Sequence, residues 1–128
     1  LSVGRYPALA MEELSAGDII ISEIMHDPQN SLYYRGEWFE LYNNSGFDIN
    51  INGMVVGGAI TEGFFVGENI LFEAGAYIVL AAKQEAELNG GVPSVAYGYN
   101  RSGFRLNSND IVGIANSLGT VITVARPA

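Results

Sequence analysis

Glu37-Trp38-Phe39-Glu40-Leu41-Tyr42-Asn43 sets the reading of the whole chain. Phe39 and Leu41 fall on one side of an extended backbone, and Trp38, Glu40 and Tyr42 on the other. That two-residue period is the mark of a half-buried strand. Upstream, Asp18-Ile19-Ile20-Ile21-Ser22-Glu23-Ile24 is rich in β-branched residues and stops at Asp27-Pro28, a turn opener. Downstream, Asn44-Ser45-Gly46 makes a turn, and Ile49, Ile51 and Met54-Val55-Val56 give another strand, broken at Gly57-Gly58. Short apolar runs at 64–66 and 70–72 lead through Ala74-Gly75 into Ala76–Ala82. That last run is apolar on both faces and is expected at the centre of a sheet. Val95–Tyr99, Asp110–Ala115 and Thr120–Ala125 complete the series, with Asn116-Ser117-Leu118-Gly119 as a hairpin turn between the last two. Residues 83–88 spell one helical turn, and no long helix is indicated. The expectation is an all-β, antiparallel β-sandwich of about seven to nine short strands.

The segment before Asp18 has a different period. Pro7-Ala8-Leu9-Ala10-Met11-Glu12-Glu13-Leu14 suits two helical turns, with Pro first and Gly17 just past the end. A helix so short is marginal without packing, so residues 1–17 are expected as a linker or short N-terminal helix, and 18–128 as the β-sandwich domain. The chain has 128 residues, a length that fits one domain. Its 48% apolar and 16% charged residues exclude a disordered class. It has no cysteine, which removes a disulfide framework, a thiolate zinc site and a cysteine nucleophile together.

Charge constrains partners further. Fourteen acids against six bases give −8, and the bases (Arg5, Arg35, Lys83, Arg101, Arg105, Arg126) are scattered. Nucleic acid is held through clustered Lys/Arg contacts to phosphate, so this acidic chain is expected not to bind it. No apolar stretch is long enough to span a membrane, and membrane insertion is not expected. Ala8-Leu9-Ala10 has the small-x-small look of a signal-peptidase site, but no apolar run precedes it in this segment.

Several spaced segments together carry a family resemblance. Ile20-Ile21-Ser22-Glu23-Ile24-Met25, ending at Asp27-Pro28, resembles the opening strand of the bacterial-type lamin tail domain. Gly36-Glu37-Trp38-Phe39-Glu40-Leu41-Tyr42-Asn43 is similar to its most recognisable strand, and Asp48-Ile49-Asn50-Ile51-Asn52-Gly53-Met54 to its turn into the next. Leu71–Leu80 resembles its entry to a central strand, and 106–114 with 116–122 its closing hairpin. The resemblance spans roughly residues 18–125 and implies an immunoglobulin-like fold. It further implies a module appended to exported or cell-surface proteins, hence an extracellular, periplasmic or surface setting. Animal lamins use the domain for protein and chromatin contacts. The strand matching theirs carries Glu37 and Glu40 here instead of basic residues, so the DNA-binding inference does not carry over.

Chemistry-bearing patterns are few. Asp48-x-Asn50-x-Asn52-Gly53 matches the first half of a calcium loop, yet the twelfth position is Ala59 rather than an acid. Strand pairing could bring Glu23 and Glu40 together, with His26, Asp27 and Glu37 close in sequence. Paired carboxylates can divide acid and base roles, and a flanking imidazole can ligate a metal. A divalent-metal-dependent hydrolase built on Glu23, His26, Asp27 and Glu40 is therefore the alternative reading. Against it, the sole histidine cannot complete a two-His site, and neither a G-x-S-x-G elbow nor a P-loop occurs. The leading expectation is a non-catalytic binding module, not an enzyme, with no cofactor and no metal. Exposed aromatics with flanking acids suit carbohydrate stacking or a protein hot spot. The expected patch comprises Tyr33, Tyr34, Arg35, Trp38 and Tyr42, with Glu37 and Glu40 setting its charge and protein or carbohydrate as the ligand.

Overall fold

A computed structural model describes residues 8–25, 36–57, 63–87, 91–100, 104 and 111–126. Among them lie eleven short strands: β1 (Leu9–Ala10), β2 (Ile19–Met25), β3 (Trp38–Asn43), β4 (Ile49–Asn50), β5 (Val55–Gly57), β6 (Gly63–Phe65), β7 (Leu71–Phe72), β8 (Tyr77–Ala81), β9 (Tyr97–Gly98), β10 (Val112–Ala115) and β11 (Val121–Ala125). They form one four-stranded sheet ordered β2-β3-β8-β9, a second ordered β11-β10-β5-β6, and a small third ordered β1-β4-β7. The fold is the expected all-β, immunoglobulin-like sandwich. The count exceeds seven to nine because the run from Ile49 to Val56 divides at the Asn52-Gly53 turn, where Gly53 takes φ +91°, and because β1 was not anticipated. Pairing is antiparallel except for β1 with β4 and β8 with β9, which are parallel.

The core forms between the sheets. Phe39 and Leu41 of β3 are fully buried, and they meet Phe72, Leu80, Phe104, Val56 and Ile114 in one cluster. β8 is central, as its two-sided apolarity predicts, lying between β3 and β9. A bulge at Ser22 reconciles β2 with this core. Ile21 pairs Leu41 and Glu23 pairs Glu40, so Ile19, Ile21 and Ile24 all face inward despite their uneven spacing.

Residues 8–17 differ from the linker or two-turn helix anticipated for them. β1 is followed by one 3-10 turn, Met11–Glu13, and Met11 and Leu14 are buried in the core. The i, i+3 spacing of Met11 and Leu14 suits that tighter turn as well as an α-helix. Side chains pin it: the Asn116 amide donates to the Met11 carbonyl at 3.1 Å, and the Glu13 carboxylate accepts the Ala10 N–H at 2.8 Å.

Candidate functional site

The outer face of the β2-β3-β8 sheet carries Trp38, Glu40 and Tyr42 of the expected patch. Register places three cross-strand rows there: Ile20–Tyr42–Tyr77, Glu23–Glu40–Val79 and Met25–Trp38–Ala81. Tyr42 and Tyr77 pair with ring centroids 4.8 Å apart at 43°, and Tyr77 is 59% exposed. Trp38 and Tyr42 are half-buried, each flanked by its row neighbours. Alternation alone gave the face of Trp38, Glu40 and Tyr42. It did not give Ile20 and Tyr77, because those positions enter through register.

Glu23 and Glu40 do become direct cross-strand partners. The bulged Ser22 hydroxyl donates to Glu40 Oε1 at 2.8 Å and to the Glu40 carbonyl at 3.2 Å. Like charges placed directly opposite destabilise a sheet, so the pair is a feature the fold tolerates rather than needs. His26, Asp27, Tyr33, Tyr34 and Arg35 lie outside the described residues. Among the described residues, no three His, Cys, Asp or Glu side chains come together as a metal site.

Glu37 leaves the patch. Its side chain is fully buried rather than exposed, and its Oε2 accepts the Tyr99 hydroxyl at 2.8 Å. Among the described residues, Glu40 and its cross-strand partner Glu23 give this outer face its charge. Tyr99 itself sits in an aromatic cluster: its ring stacks on Phe64 at 5.1 Å and meets Phe104 edge-on at 5.3 Å. Phe64 also stacks on Tyr97 at 5.8 Å, which ties β6 of one sheet to β9 of the other. Parity along the strand would have placed Glu37 with Phe39, Leu41 and Asn43 on the core side.

The Asp48–Gly53 pattern has structural employment. Asp48 Oδ1 accepts the Ala74 N–H at 3.0 Å, and Asn50 Oδ1 accepts the N–H groups of Asn52 and Ile70. The Asn50 and Asn52 amides both donate to Asn69 Oδ1, at 3.1 and 2.9 Å. Asn50 and Asn52 thus fasten the turn after β4 to the segment entering β7, and Asp48 fastens the entry of β4 to the turn after β7. Two asparagines do similar work elsewhere. Buried Asn43 donates to the Phe47 and Phe72 carbonyls, and buried Asn116 accepts the Leu118 and Thr120 N–H groups.

The sandwich and its strand order define an immunoglobulin-like class of domain. Within that class, residues 12–127 match the family model described as Lamin Tail Domain, and the chain belongs to that family. A search of curated proteins finds no match.

Proposed function

We propose that this chain is a non-catalytic interaction module of a larger exported or cell-surface bacterial protein, and that it docks a protein ligand through the outer face of β2-β3-β8. One observation carries the surface: the Tyr42–Tyr77 ring pair stands beside the opposed carboxylates of Glu23 and Glu40. Aromatic anchors next to two opposed acids suit a partner that presents Lys or Arg, through ring-face and carboxylate contacts together. The exported setting rests on the resemblance to appended bacterial modules.

Two measurements test the reading. Peptide and glycan arrays are probed with the chain and with Tyr77→Ala. Signal on lysine-bearing peptides that Tyr77→Ala abolishes supports protein docking, whereas signal on glycans lost in the same variant supports carbohydrate. Signal indifferent to Tyr77→Ala removes this face from the function. The parent reading frame tests the setting: a signal peptide with neighbouring hydrolase or anchor domains is expected, and a free-standing cytoplasmic protein would overturn it. Trp38→Ala is expected to weaken binding while costing less than the ~3–5 kcal/mol of a fully buried aromatic truncation.

A further inference from the structure

The second sheet presents an outer face of a different kind. Its register aligns two rows across all four strands: Val121–Ala115–Val55–Phe65 and Val124–Gly113–Gly57–Gly63. Every one of these outward positions is apolar or glycine. Antiparallel sheets with one solvated face normally alternate apolar inward with polar outward, yet here Phe65 is 67%, Val124 55% and Val121 53% exposed. The glycine row leaves a trough beside the wall of valines and Phe65. Gly63 has a local reason to be glycine, since a Cβ there would lie 2.6 Å from the Val56 carbonyl oxygen. Gly57 has none, because a Cβ there would meet nothing within 4 Å.

A groove of about 520 Å³ occupies the β5–β6 part of this trough, lined among others by Gly53, Val55, Gly57, Gly63, Phe65 and Ser117. That is the size of a pocket for a few side chains. One end carries a charge. The Ser117 hydroxyl donates to Glu12 Oε2 at 2.7 Å, and a Cβ on Gly53 would lie 3.5 Å from the same oxygen. The carboxylate thus stands between two residues that line the groove, and an apolar trough ends in an anion.

Three occupants can be compared on these features. A second copy of the chain would bring another −8 of charge. The sheet face measures roughly 20 Å by 14 Å from strand and residue spacings, so two copies would bury about 600 Å², half of what a specific interface needs. An anionic lipid surface is repelled by the same charge. A peptide segment needs only to fill the groove and to place one cation at its end. We infer that the β11-β10-β5-β6 face is a second docking site, which takes an extended segment of a partner protein with an aromatic or branched aliphatic side chain over Gly57 and Gly63, and a Lys or Arg at Glu12.

The test is a titration of the isotope-labelled 128-residue chain with short synthetic peptides, followed through backbone amide shifts. One set carries Phe or Leu next to Lys or Arg, a second replaces the bases by Glu, and a third replaces the apolar residues by Ser. The first set should shift Val55, Gly57, Gly63, Phe65 and Ser117, and the other two should not. Gly57→Val puts a side chain into the trough at a position where a Cβ meets nothing within 4 Å and should weaken binding by tenfold or more, while Phe65→Ser removes a wall and should do the same, about 1.4 kcal/mol or more in each. Glu12→Gln should weaken binding several-fold and flatten its salt dependence. Tyr77→Ala, on the opposite face, should change nothing, which separates this site from the one proposed above. The inference is overturned if no peptide shifts these amides, or if acidic and basic peptides act alike. Gly57→Val binding as well as the parent also overturns it, as does shifting of the same amides by dilution or by lipid micelles without peptide.

Discussion

Tyr99 donates its hydroxyl to Glu37 at 2.8 Å inside the core, joining β9's exit to β3's entry. A carboxylate with no solvent exposure depends on such donors, because burying an under-satisfied charge costs more than burying a neutral group. Tyr99→Phe keeps the stacking with Phe64 and Phe104 but removes this donor. It is expected to lower stability by about 1–3 kcal/mol in urea denaturation, with the aromatic circular dichroism of the folded state retained.

The segment ahead of β2 is part of the folded body. Met11 is fully buried and Leu14 nearly so, and the Gly17 N–H donates to the Ile122 carbonyl at 2.8 Å. Met11→Ala should cost about 2–5 kcal/mol. A chain begun at Asp18 should lose more than that single substitution, seen as a lowered or absent thermal transition.

Asn116 closes the last hairpin from inside. Its amide reaches Met11 while its oxygen takes two N–H groups of the turn, where Gly119 adopts φ +84°. Asn116→Ala leaves these buried or part-buried groups without a partner and should cost about 2 kcal/mol or more. Asn116→Asp keeps the acceptor but sets a buried carboxylate against the Met11 carbonyl, so it too should lower the denaturant midpoint.

The opposed glutamates predict a trade. Glu23→Lys turns a like-charged cross-strand pair into an opposite one and should stabilise the sheet by about 0.2–1 kcal/mol. The same change should weaken capture of a lysine-bearing ligand on the Tyr42–Tyr77 face. A variant that gains in both thermal midpoint and binding would contradict the role given to these carboxylates.

Much of this architecture was legible residue by residue. The alternation of Phe39 and Leu41 against Trp38, Glu40 and Tyr42, the two-sided apolarity of Ala76–Ala82, and the Asn116–Gly119 turn each specify a local period that the tertiary structure keeps. What escaped was non-local. The outer rows exist only through register, which brings Tyr77 to Tyr42 and Phe65 to Val55 across turns of different lengths. Met11 and Leu14 fit a helical period because a 3-10 turn shares its i, i+3 spacing. Glu37 was misassigned by chemistry rather than by geometry. Its charge argued for solvent, while its parity with Phe39 and Leu41 pointed inward.

The hydrogen bond from Asn116 to Met11 spans 105 positions of sequence, and β1 lies parallel to β4, with Leu9 opposite Ile49. Residues early in this domain therefore wait for residues late in it. Contacts of such separation carry a loop-closure cost that local pairs avoid, and they slow folding. On the ribosome, β2, β3 and the strands that follow can begin to pair while the opening segment still hangs free. The sandwich closes over Met11 and Leu14 only after the final hairpin has emerged, so an interrupted nascent chain carries its first core residues exposed.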